Sequence, residues 1–160
     1  MMNLQTQHAM LKLLRDRRWA ALATQGSEGP EVSWVAYASE PDFSGFLLHL
    51  STLAAHTRNL LAHPCAGLAI SALERDEEDP QTLARVTMQG AITVISQDHA
   101  DYSAAAQLYQ ERLPASIPRF AFTDFLLLRL IPTRIRFVGG FAQAYSLDHA
   151  ELQAATQRTS

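Results

Sequence analysis

The chain has 160 residues, a formal net charge of −3, and 18% charged against 48% apolar residues. That is the make-up of one folded domain able to bury a core, and it excludes a disordered chain and a strongly basic binder of nucleic acid or anionic membrane. The single cysteine, Cys65, cannot form an intramolecular disulfide, and its apolar neighbours predict a packed thiol in a reducing, cytoplasmic setting. No leader-like stretch opens the chain, and the apolar run Phe125 to Leu128 is too short to span a bilayer.

Leu4, His8, Leu11 and Leu14 recur at helical spacing after Asn3, a good N-cap residue, and predict an opening helix over 1–17 whose apolar stripe packs on the rest of the fold. Arg18 to Thr24 and Glu31 to Ser39 read as strands joined by a turn at Gly26 to Pro30. Alternation puts Val32, Trp34, Ala36 and Ala38 on one face, with Ser33, Val35 and Tyr37 on the other. A third strand covers Phe46 to Leu50. Ser51 or Thr52 then caps a helix from Leu53 to Ala62 with a stripe of Leu53, Thr57, Leu60 and Leu61, stopped by Pro64.

Cys65 to Ala72 is a fourth strand, Glu74 to Pro80 an exposed loop, and Leu83 to Ile95 the clearest strand, with Gly90 marking a bulge. Asp98 caps a helix reaching Arg112. Two strands, Phe125 to Ile131 and Arg134 to Val138, flank Pro132-Thr133, and residues 148–160 form a short helix and frayed tail. About seven strands with few helices favour an antiparallel barrel, mainly β with flanking helices, over a parallel sheet.

Three clusters carry candidate chemistry. In Ser51-Thr52-Leu53-Ala54-Ala55-His56-Thr57-Arg58-Asn59 a strand runs into a helix start, where free N–H groups and polar side chains suit a phosphate, although such residues also serve as plain caps. Arg85, Thr87 and Gln89 form a polar face that lines a cavity or is the wet side of a strand. In Arg134-Ile135-Arg136-Phe137-Val138-Gly139-Gly140-Phe141 the glycine pair admits a close ligand approach or a turn. His49, His56 and His63 have no metal-motif spacing, and no dinucleotide, phosphate-loop or hydrolase-elbow motif is present.

Taken in order, Glu31 to Ala38, Leu53 to Leu60 with Pro64, Asp79-Pro80, Arg85 to Gly90, and Arg136 to Phe141 with Ala144-Tyr145 resemble the FMN-binding split β-barrels related to pyridoxamine 5′-phosphate oxidase, in the subgroup near haem-utilisation proteins. The resemblance covers about Arg18 to Leu147. It implies one antiparallel split-barrel domain over 1–160 and a homodimer with FMN between the subunits. By position, Ser33, Trp34 and Val35 match the strand approaching the flavin, Ser51 and Thr52 the entry to the phosphate turn, and His56, Thr57, Arg58 and Asn59 the phosphate-holding segment. Arg85, with Gln89 beside it, matches a position reaching flavin or ligand.

The chain departs from the oxidase proper at Ser33, Ala38 and His56, where basic residues are usual, and from the subgroup at Ala142 and Gln143. The implied function is a flavin-dependent oxidoreductase acting on a small molecule, with no catalytic acid or base named. The alternative is a haem-binding or haem-handling barrel without flavin chemistry, in which His49 and His56 are candidate iron ligands. Trp34 or Val35 and the run Phe125 to Leu128 are expected to form the dimer core, and no metal ion, nucleic acid or membrane is implied.

Overall fold

The structure is a computed structural model that describes residues 2–140 and 143–158; Phe141 and Ala142, singled out above, lie outside the described residues. Eight strands, β1 (Trp19–Gly26), β2 (Gly29–Ala36), β3 (Ala38–Ser39), β4 (Phe46–Ser51), β5 (Cys65–Ser71), β6 (Arg85–Val94), β7 (Phe125–Gly140) and β8 (Gln143–Leu147), form one antiparallel sheet. The order is β2-β1-β5-β6-β7-β4-β3, with β8 added to β7. Both ends of this path, β2 and β3, belong to one stretch of chain that turns at Tyr37. The sheet thus curls into a split barrel filled by Leu22, Phe46, Leu48, Leu68, Val86, Leu128, Ile135 and Phe137.

Four helices, α1 (Leu4–Asp16), α2 (Ala55–Ala62), α3 (Tyr102–Arg112) and α4 (His149–Arg158), pack around it. Asn3 caps α1 as expected, its side chain accepting from the Thr6 N–H at 2.8 Å. The helix buries Gln7, Met10, Leu11 and Leu14, one step round from the predicted stripe, so Leu4 and His8 face water. The four carbonyls that an α-helix leaves unpaired at its C-terminus are all satisfied here. Leu13 accepts from the Arg17 N–H and Leu14 from the Tyr37 hydroxyl at 2.9 Å, while Arg15 and Asp16 accept from the Arg112 guanidinium at 2.6 and 2.8 Å.

The longest ladder, β6 with β7, contains Pro132, which has no N–H to give. It pairs with Gly90 at a bulge, and a side chain at Gly90 would lie 2.3 Å from the Ile131 carbonyl oxygen. The missing donor and the missing Cβ accommodate each other, so β7 runs unbroken through Pro132, where two strands were expected.

Further corrections have equally local causes. Helix α2 begins at Ala55 with no side-chain cap, because the Ser51 hydroxyl is taken by Asp124, and Leu53 and Leu61 stay exposed. Helix α3 begins at Tyr102, after a turn that contains Asp98. Cys65 is exposed, since Ala66, Leu68 and Ile70 take the inward positions of β5. Leu127 and Leu128 are buried within this chain. The expected short C-terminal helix is present as α4, and it differs only in being anchored, with Leu152 and Ala155 in the core. Among the described residues no helix is long and apolar enough to cross a membrane.

Candidate functional site

The residues expected around a phosphate do gather near the start of α2, but most of their polar groups are committed within the fold. Ser51 donates its hydroxyl to the Asp124 carboxylate and accepts from the Leu53 N–H, and the Thr52 N–H reaches the Asp124 carbonyl at 2.7 Å. Arg58 folds back to donate to the Leu53 carbonyl at 2.5 Å. Asn59 donates to Thr24 Oγ1 and Glu31 Oε2, at 3.1 and 3.0 Å, pinning α2 to β1 and β2. Thr57 is fully buried, with its hydroxyl unpartnered, and half-burial lowers the pKa of His56 from its ordinary value.

Ser33 points its unpartnered hydroxyl inward and Val35 joins the core, whereas Trp34 faces out. Arg85 donates to the Gln81 and Leu83 carbonyls, both at 3.0 Å. It lies on the order of 20 Å along β6 from the level of α2, at about 3.3 Å per residue. Within one chain, Arg85 and the α2 group therefore do not share a site.

His49 is enclosed by aromatic side chains. It is 7% exposed, its ring stacks on Phe120 at 3.8 Å, and Phe125 and Tyr109 lie at 5.0 and 5.8 Å. Burial, assisted by the nearby Arg119 charge, lowers its pKa to about 4, so the imidazole is neutral. Among the described residues no cluster of three metal-ligating side chains occurs.

The open cleft with ligand-like chemistry lies instead on the outer face of the sheet, with a volume of about 440 Å³. Register builds it from two transverse rows. One runs Trp34, Ala21, Ala69, Thr87, Arg136 across β2, β1, β5, β6 and β7; the next runs Val32, Ala23, Gly67, Gln89, Arg134. Each row is bulky and apolar at the β2 end, small in the middle, and cationic at β7.

The small side chains leave a flat floor. Arg134 and Arg136, two residues apart on one strand face, project about 7 Å from one another. Neither has an ion-pair or hydrogen-bond partner among the described residues. Of the predicted site residues, Gln89 lines this cleft and Trp34 stands at the outer end of one of its rows. The glycines after Arg136 take no part in its lining; the signal that points to it is the alternation Ala21-x-Ala23, Gly67-x-Ala69 and Arg134-x-Arg136, which marks the same face on three strands.

Residues 6–139 match the family model described as pyridoxamine 5′-phosphate oxidase. The chloroplastic non-canonical haem oxygenase HOZ of Arabidopsis thaliana is 36% identical over 123 residues, which are 76% of this chain and 36% of that protein. This chain thus spans about a third of that relative. The haem oxygenase HutZ of Vibrio cholerae is 29% identical over 86% of this chain and 78% of its own length. A solved haem-binding protein from Mycobacterium smegmatis superposes with a TM-score of 0.82 at 29% identity, covering 92% of this chain and 60% of that one. These relatives are named for haem, which corrects the expectation of FMN as cofactor, in keeping with an α2 segment whose polar groups are largely committed internally. By its family match and its curled antiparallel sheet, the chain belongs to the pyridoxamine 5′-phosphate oxidase family as a split barrel.

Proposed function

We propose that this chain is a haem-binding protein of haem utilisation and that the outer-face cleft is where haem binds. The observation that carries the reading is the pair of unpartnered guanidiniums, Arg134 and Arg136, at the edge of a flat apolar floor. A porphyrin is a flat apolar plate with two carboxylates on one edge. Ala21, Ala23, Gly67 and Ala69 suit the plate, and the two arginines suit the carboxylates through charge-assisted hydrogen bonds. Gln89 and Thr87, directly opposite Arg134 and Arg136, add polar contacts beside them.

The fit is to the ring and its carboxylates; no lining residue is His, Cys or Tyr, and His49 is walled off. Bound haem would supply the iron and its oxygen chemistry, and the chain would supply position and charge.

Titration of the purified protein with haemin should give a saturable Soret band at one haem per chain. Changing both arginines to alanine should weaken binding about ten- to hundredfold, as expected for the loss of charge-assisted contacts of about 1.5–3 kcal/mol. Stoichiometric flavin in place of haem, or unaltered haemin binding in the double variant, would overturn the reading. Loss of the Soret band on adding a reductant in air would extend it from binding to breakdown.

A further inference from the structure

We propose that the outer-face cleft recognises a porphyrin by its ring and its two carboxylates and makes no bond to the central metal, so that its ligand class is flat dicarboxylate porphyrins with or without iron. This specificity rests on the haem reading above and adds to it that a metal-free porphyrin binds as tightly as haem.

Carboxylates held by Arg134 and Arg136 fix one edge of the plate at β7, and the plate then extends across β6 towards β2. Two interstrand spacings, about 10 Å, bring its centre over β5. The outward residues of β5 at that level are Gly67 and Ala69, with Ala21 and Ala23 beside them on β1. An axial ligand rises from directly beneath the metal, and the floor there offers only hydrogen and methyl groups, none with a lone pair to give. The flatness that admits the ring therefore denies the iron a ligand. Cys65, the chain's single cysteine, points to the same face, but it lies about 10 Å along β5 from that centre, beside the ring and not under it.

Gly67 adds an independent observation. It sits inside a regular strand, where glycine weakens the ladder, and it is not among the positive-φ glycines, Gly29 and Gly140. A Cβ at this position would meet the Ala23 Cβ at 3.4 Å and the Met88 carbonyl oxygen at 3.8 Å, both ordinary contacts. Neither the backbone nor the packing of the fold asks for glycine here. A flat ligand pressed onto the centre of the floor does.

Quenching of tryptophan emission reads every porphyrin in the same way, since Trp34, 61% exposed, stands at the end of one row. Haemin, zinc protoporphyrin and metal-free protoporphyrin should bind with dissociation constants within about threefold of one another. The dimethyl ester of protoporphyrin, which keeps the ring and loses both charges, should bind about ten- to hundredfold more weakly. Haemin binding more than about tenfold tighter than the metal-free ring would reveal a bond to iron; it would overturn the proposal and leave the haem reading standing. Binding of neither would overturn both. An ester that binds as well as the free acid would also overturn the proposal, by taking recognition away from the carboxylates.

Two substitutions probe the metal directly. Cys65→Ser should leave the Soret band of bound haemin where it is, and a shift would give the iron to the thiol and overturn the proposal. Gly67→His supplies the missing ligand beneath the centre: bound haemin should take on the spectrum of imidazole-ligated iron, while the metal-free ring binds no more tightly than to the wild type. If the larger side chain excludes every ring, Ala69→His repeats the test at the neighbouring position. Haemin bound with an unshifted spectrum in both variants would place the ring centre elsewhere and overturn the proposal.

Discussion

Replacing His49 with phenylalanine isolates the contribution of one buried neutral imidazole to acid stability. The ring is clamped by Phe120, Phe125 and Tyr109, and its Nδ1 has no hydrogen-bond partner, so a proton added there would create an unpaired buried charge beside Arg119. The folded pKa, about 4, lies below the ordinary 6.5. Between those values the unfolded chain binds the proton and the folded chain does not. Stability from this group is therefore complete above pH 6.5, falls as pH drops through that window, and is fully lost below about 4.

At ~1.4 kcal/mol per pH unit the interval amounts to about 3 kcal/mol. His49→Phe keeps the stacking and removes the titration. Urea unfolding at several pH values should show the stability difference between variant and wild type constant above pH 6.5 and moving by about 3 kcal/mol in favour of the variant towards pH 4. Carboxylates common to both proteins, such as Asp42, cancel in that difference. Parallel stability curves down to pH 4 would refute the argument and mean that the ring is protonated without penalty.

Two further substitutions test the packing. Gly90→Ala pushes a methyl into the Ile131 carbonyl and should cost about 1–3 kcal/mol in urea unfolding; an unchanged midpoint would show that the bulge relaxes freely. Arg129 grips Glu40 at 2.6 and 3.1 Å, with both side chains largely buried, so Arg129→Met should cost about 3 kcal/mol by stranding the carboxylate, and adding Glu40→Leu should restore part of the loss. Simple additivity of the two changes would refute that coupling.

The barrel was largely legible because its strands alternate cleanly: β5 and β6 bury Ala66, Leu68, Ile70, Val86, Met88, Gly90 and Ile92 and turn the residues between them outward. What local pattern could not reveal was which long-range partner takes a side chain. Ser51 reads as a helix cap until Asp124, 73 residues on, is seen to accept its hydroxyl, and Arg58 and Asn59 read as ligand-holding until their internal acceptors are known. Pro132 reads as a strand end because its partner Gly90 lies far off in sequence. The cleft was hidden for the same reason. Alanines and glycine carry no motif in one strand, and only the register across five strands lines them up with Trp34 and Arg136.

The finished C-terminus of α1 bears on how the molecule is assembled during synthesis. Two of its terminal carbonyls wait for Arg112, nearly 100 residues downstream, and a third for Tyr37. When the first helix leaves the ribosome its negative pole has neither partner, and it remains a marginal segment until α3 has been made. The last turn of α1 therefore gains its final partners only when α3 docks against it. Amide exchange of the native protein should find the end of α1 opening together with α3 as one cooperative unit, although the two are separated by most of the barrel's strands.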